Sequence, residues 1–166
     1  MDVSVDQYLR TTYRPDCDFV DGHIVERNVG KKRHSFAQGR ACGWFTHHAD
    51  NRFEPFVSQR IQVATCRFRV PDFLLMRSPS PDEDVFTTVP YLCLEIMSPD
   101  DIMSSMQDRI DDYLTIGVEN LWVVDPWKPR AWIVTAQGWQ SLAAEGTLTT
   151  QDGVFCMPIQ ELMLKP

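Results

Sequence analysis

Apolar positions along the chain follow two periods, and the changes between them mark the elements. Ser4 followed three residues later by Gln7 fits a capping box opening a short helix through Leu9. Residues 19–25, Phe-Val-Asp-Gly-His-Ile-Val, read as a hairpin on an Asp-Gly turn. Residues 32–49 carry Phe36, Ala37, Cys42, Trp44 and Phe45 at helical spacing, with Gly39 and Gly43 as weak points. Strands are expected over 53–57, 61–65, 68–76 and 91–97, where β-branched and aromatic residues are punctuated by Pro and polar turns. Ser98-Pro99-Asp100-Asp101 then stops the strand and offers an N-cap to a helix over 102–116, which Gly117 ends. Residues 121–124 are a continuous apolar strand, so strand, helix and strand form a parallel unit with a right-handed crossover. A second hairpin over 132–135 and 139–142 turns through Gln137-Gly138, and a short segment over 158–164 closes the chain. The class predicted is α/β or α+β, with a mixed sheet.

Composition bounds this picture without changing it. At 166 residues, 43% hydrophobic and 23% charged, the chain suits one globular domain spanning 1–166. No apolar run approaches the roughly 20 residues of a bilayer-spanning helix. The start, MDVSVDQYLR, lacks a basic stretch leading into an apolar one, so a cytoplasmic protein is expected. Five widely spaced cysteines with no CxxC pair argue against a disulfide framework or a structural zinc site.

Charge does change the picture, because the net value of -7 hides a split. Between Arg27 and Arg77 ten Lys or Arg stand against three acids, whereas between Asp82 and Asp125 eleven acids stand against Arg109 alone. A phosphate-binding surface beside a carboxylate-lined metal site would produce such a division. Two halves that attract each other, or that each solvate their own surface, would produce it too.

Glu95 lies inside Tyr91-Leu92-Cys93-Leu94-Glu95-Ile96-Met97, a strand otherwise apolar enough to be buried on both faces. A carboxylate there must pair with a base, coordinate a cation or take up a proton. Asp72, in Val70-Pro71-Asp72-Phe73, poses the same problem on a neighbouring strand. Two acids on adjacent strands suit Mg²⁺, which takes one or two carboxylates and completes its shell with waters and substrate phosphates.

The order and spacing of several fragments resemble the Uma-type restriction endonuclease family of the PD-(D/E)XK nuclease superfamily. They are Asp18-Phe19-Val20-Asp21-Gly22-His23-Ile24-Val25-Glu26, His34 opening a helix, Val70-Pro71-Asp72, and Leu94-Glu95-Ile96-Met97-Ser98-Pro99. They continue through Asp108-Arg109, Tyr113 and the run from Gly117 to Pro126. The resemblance covers about residues 5–142 and implies a restriction-endonuclease-like mixed sheet flanked by helices, with extra β-hairpins. It implies that Asp72, Glu95 and the Ile96 carbonyl hold Mg²⁺ or Mn²⁺, with Asp18 as an auxiliary acid, and that the reaction is hydrolysis of DNA. A homodimer would let such an enzyme reach both strands.

Two departures bear on this. The superfamily lysine two residues after the Glu is Met97 here, and its displaced counterpart on the following helix is Arg109. Helical spacing places Arg109 beside the stripe Ile102, Met106, Ile110 and Tyr113, facing the sheet. An arginine there can orient a phosphate or stabilise charge, but does not readily serve as a general base. It can equally neutralise Glu95 or Asp72 in a metal-free ion-pair cluster. Lys31, Lys32 and Arg33 are candidate DNA-backbone contacts, and His34 a candidate phosphate contact or brace. The alternative function is a nuclease fold that no longer cleaves and acts as a nucleic-acid-binding or regulatory module; an interaction domain without nucleic acid is a third.

Overall fold

The computed structural model describes residues 2–165. Its main sheet has six strands in the order β10-β9-β8-β7-β6-β3: Gly138–Ala143, Arg130–Thr135, Asn120–Asp125, Leu92–Ile96, Phe73–Arg77 and Phe53–Val57. β7 and β8 run parallel and the other neighbours antiparallel. Helix α3, Met103–Ile116, makes the crossover between that parallel pair, as the pattern predicts. A second sheet, β2-β1-β5-β4, is built from His23–Val25, Asp18–Val20, Arg67–Arg69 and Ile61–Ala64. A ribbon of β11, Thr147–Thr149, and β12, Cys156–Pro158, leads into a 3-10 turn at Ile159–Leu162.

Strand alternation divides the core. Leu92, Leu94 and Ile96 of β7 pack with Ala37, Ala41 and Phe45 of α2, Lys32–His48. Cys93 and Met97 pack on the other face with Met106, Ile110 and Tyr113 of α3. Glu95 shares that second face, because side chains along a strand alternate. A small aromatic core of Tyr8, Phe19 and Phe68 ties α1, Val5–Arg10, to β1 and β5. Ser4 caps α1 by accepting from the Gln7 N–H, as its motif implies.

Three expectations are corrected. Residues 68–76 are not one strand: Pro71 has no N–H to give a ladder, and the chain breaks over Val70-Pro71-Asp72, leaving β5 in one sheet and β6 in the other. Asp100 and Asp101 do not cap α3, whose N-cap is Ile102 without a side-chain hydrogen bond. Asp101 instead accepts from the Ser98 N–H at 2.7 Å, closing the turn that ends β7. Ile102 leaves the buried stripe and is 67% exposed. The ribbon strand β11 had no clear alternating signal to announce it.

Gly117 adopts φ +90°, and its N–H caps α3 by donating to the Tyr113 and Leu114 carbonyls. Gly117→Ala forces a side chain into the left-handed region and is expected to cost about 1 kcal/mol. The urea midpoint should fall at unchanged slope.

Candidate active site

The register of β6 on β7 pairs Phe73 with Leu94, and one step further brings Asp72 alongside Glu95. Both are 1% exposed. The break at Pro71 frees Asp72 from the ladder, and its Oδ2 accepts the Ile96 N–H at 2.8 Å, the bond a strand neighbour would otherwise make. Its Oδ1 takes the Arg27 guanidinium and lies 3.2 Å from His34 Nε2. Gln38 of α2 donates to the Asp72 carbonyl at 2.8 Å. On Glu95, Oε1 accepts the Tyr113 hydroxyl at 2.5 Å and Oε2 accepts Arg109 Nη1 at 3.0 Å. Arg109 therefore points to the sheet, as its position on α3 implies.

Asp18 is anchored in the same manner. Its Oδ1 accepts the Val70 N–H at 2.9 Å and its Oδ2 accepts Arg69 Nη1 at 3.0 Å. Arg69 also grips Asp112 of α3 at 2.6 Å, and Arg67 reaches the same carboxylate at 3.0 Å. Each of the three expected acids thus carries its own arginine: Arg27 on Asp72, Arg69 on Asp18, Arg109 on Glu95.

The two central carboxylates divide their charge unequally. Burial pushes the Glu95 carboxyl up to about 7; Arg109 pulls against that rise and Asp72 adds to it. For Asp72 burial also opposes the charge, but Arg27, His34 and the Ile96 N–H outweigh it and hold the carboxyl below its ordinary value. Burial works against the Arg109 cation, yet Glu95 and Asp18 raise its pKa, so it stays protonated and is no general base. Burial and the neighbouring Glu95 charge also keep the Tyr113 hydroxyl protonated, as a donor.

A cleft of about 320 Å³ opens beside this cluster, lined by Asp18, Glu26, Asp100, Asp101 and Asp108 with Arg69 and Arg109. Glu95 lies behind its wall, since Arg109 both bonds Glu95 and lines the cleft, and Asp72 stands beside Glu95 on the adjacent strand. Five carboxylates against two guanidiniums would repel a phosphate backbone unless cations enter as well. The hard oxygens of Asp72, Glu95 and the Ile96 carbonyl fit a small divalent cation chemically. Among the described residues no three His, Cys, Asp or Glu converge as a ready-made cage. Two carboxylates completed by water and substrate are instead the donor set Mg²⁺ commonly accepts. Each carboxylate oxygen already accepts a hydrogen bond, so a cation would take its place in exchange with Arg27 and Arg109.

The four candidate nucleic-acid contacts separate. His34 is 1% exposed and braces Asp72, so it does not face solution. Lys31 is ion-paired with Asp100, Arg33 donates to the Pro126 carbonyl at 3.2 Å, and Lys32 is exposed. Sequence reasoning missed Arg27 and Arg69. For Arg69 a signal existed, since Arg67 and Arg69 flank Phe68 on one face of a strand, an arrangement that calls for a facing acid.

A family model named Uma2 and described as "Putative restriction endonuclease" matches residues 5–157. The chain belongs to the Uma2 family. The match extends beyond the resemblance noted in the sequence, reaching β12. The fold is also that of a crystal structure described as a "putative nuclease belonging to DUF820" from Anabaena variabilis, with a TM-score of 0.84. The superposition covers 96% of this chain and 97% of that one at 17% identity, a likeness of fold. A cryo-EM structure of a DrdV–DNA complex is similar over 81% of this chain and 12% of that one, at 16% identity and a TM-score of 0.42. No curated protein sequence matches. Among the described residues, no helix of this Uma2 member is long and apolar enough to cross a membrane.

The arginines are structural partners as well as site residues. Arg27→Ala leaves Asp72 buried without its guanidinium and is expected to cost about 3 to 5 kcal/mol. Adding Asp72→Asn should recover a large part of that loss, so a double-mutant cycle in urea should show strong coupling.

Proposed function

We propose that this Uma2 protein is a metal-dependent DNA endonuclease hydrolysing phosphodiester bonds at the Asp72–Glu95 pair. The observation that carries the reading is this pair itself: two fully buried carboxylates, side by side on adjacent strands, behind a cleft whose acidic lining calls for cations. Family membership supports DNA as substrate. Asp72, Glu95 and the Ile96 carbonyl would hold Mg²⁺ or Mn²⁺, which when bound polarises the phosphodiester and lowers the pKa of an attacking water. Asp18 reaches the cleft directly and serves as the auxiliary acid.

The chain's own residues do the positioning. Tyr113 fixes one oxygen of Glu95 by hydrogen bonding, and Arg27 with His34 fixes Asp72. Arg109, released from Glu95, would orient a phosphate and stabilise negative charge as it develops. It supplies no base, so the proton of the attacking water must pass to solvent or to a carboxylate. Lys32 and Arg33, at the start of α2 next to His34, would meet the DNA backbone. A homodimer in the cytoplasm would bring two such sites to the two strands.

A second reading has its own observation. With an arginine seated on each acid and Arg109 in the place of a lysine, the same geometry suits a fold that binds nucleic acid without cleaving it.

Nicking of supercoiled plasmid with Mg²⁺ and then Mn²⁺ separates the two. Native protein is expected to nick slowly and Glu95→Ala, prepared in parallel, not at all. Arg109→Lys should raise the rate, by up to about 10²-fold if it restores acid–base assistance. Equal background from native protein and Glu95→Ala, with no gain in Arg109→Lys, would favour the non-cleaving module.

A further inference from the structure

Beside the start of α2 lies a second cleft, of about 330 Å³, lined by Lys31, Lys32, Arg33, Trp127, Leu164 and Lys165. It is distinct from the acidic cleft and opposite in character, with four cations and no acid in its lining. Lys31 is paired with Asp100, but among the described residues no acid forms an ion pair with Lys32, Arg33 or Lys165. Three separate parts of the chain meet there: the first turn of α2, the β8–β9 turn and the segment after the 3-10 turn. Arg33 fastens the first two together through the Pro126 carbonyl.

Trp127 sets this cleft apart from an ordinary basic surface. Trp44, Trp122, Trp132 and Trp139 all pack into or against the hydrophobic clusters. Among the described residues Trp127 joins none of them and stacks on no other aromatic ring. Its backbone is nonetheless held in place. The Trp127 and Lys128 N–H groups both donate to Asp125 Oδ1, at 3.0 and 3.1 Å, so the indole is presented on a fixed turn. A half-buried indole without an aromatic partner, set among lysines and an arginine, offers a stacking face next to phosphate-binding charge. This is the combination by which proteins hold unpaired nucleotides.

The local charge also has the wrong sign for stability. α2 has no acid in its first turn and no side-chain cap, and instead begins with Lys31, Lys32 and Arg33. Cations at a helix N-terminus oppose the helix dipole, whereas an anion there is favoured. A phosphate in the cleft would relieve that repulsion.

We infer that this cleft binds an unpaired nucleotide of a DNA strand, its base stacked on Trp127 and its phosphate held by Lys32, Arg33 and Lys165. The inference rests on the nuclease reading for the choice of DNA and adds a substrate class to it: DNA with a single-stranded segment next to the scissile bond. The geometry links the two sites, since His34, one residue after Arg33, touches Asp72. A strand leaving the Trp127 cleft along the start of α2 is led toward the buried carboxylates.

The test is binding in EDTA, where no metal-dependent cleavage occurs, of a labelled single-stranded oligonucleotide and of the blunt duplex of the same sequence. Trp127→Ala is expected to weaken single-strand binding about tenfold while changing duplex binding less than about twofold, in keeping with the usual contribution of one stacked base. Trp127→Phe, which keeps a stacking face, should retain most of the affinity. Lys32→Glu should weaken binding at least as much as Trp127→Ala, yet raise the thermal midpoint by about 1 to 3 °C by correcting the charge at the helix start. Unchanged single-strand affinity in Trp127→Ala, or equal loss for strand and duplex, would overturn the inference. Because the assay requires no cleavage, a protein that fails to nick plasmid can still pass it, and one that nicks plasmid can still fail it.

Discussion

The constraint on which the structure turns is the cost of holding Asp72 and Glu95 together inside an apolar sheet. An unpaired buried carboxylate costs several kcal/mol, and here two share one site. The response reaches through the molecule: Arg27 comes from the segment after β2, and Arg109 and Tyr113 from α3. Neighbouring ion pairs tie the smaller sheet to α3. Arg69 holds Asp18 of β1 and Asp112 of α3 at once, and Arg67 bridges Asp112 to Asp21 in the β1–β2 turn. The electrostatic core and the junction of the smaller sheet with α3 therefore meet on that helix. A charge cluster of this kind adds less to stability than well-packed apolar residues of the same volume often would.

The break at Val70-Pro71-Asp72 is the local device that makes the site. Proline removes a ladder donor, the chain leaves one sheet for the other, and Asp72 is set free at the mouth of β6 to accept the Ile96 N–H. Alternation along β7 then places Glu95 on the α3 face, where Arg109 and Tyr113, one turn apart on that helix, reach both of its oxygens. Arg109, where the sequence resemblance implied a lysine, is seated on Glu95. Arg109 is thus a partner for Glu95 and part of the wall of the acidic cleft.

Much of this was legible in the residues. The hairpin on Asp21-Gly22, both long helices, the Gly117 stop and the parallel β7–α3–β8 unit all follow from local signals strong enough to survive packing. The inward direction of Arg109 followed from helical spacing alone. What escaped was non-local. The split of residues 68–76 depends on Pro71 lying between two different sheets, and the Asp101 side chain spends its oxygen on the turn after β7, where sequence suggested a helix cap. Arg27 lies 45 residues from the Asp72 it holds, and no period or motif joins them. Trp127 drew no reading from the sequence, because only the fold sets it beside Lys32 and Lys165.

The most direct measurement is direct binding of Mn²⁺ by electron paramagnetic resonance, without DNA, for native protein, Asp72→Asn and Glu95→Gln at matched folded concentration. The account predicts a site in the native protein that weakens sharply in both variants, since each contributes one of the two carboxylates. Native protein that leaves all Mn²⁺ free, or variants that bind it as the native chain does, would contradict a metal centre at the Asp72–Glu95 pair.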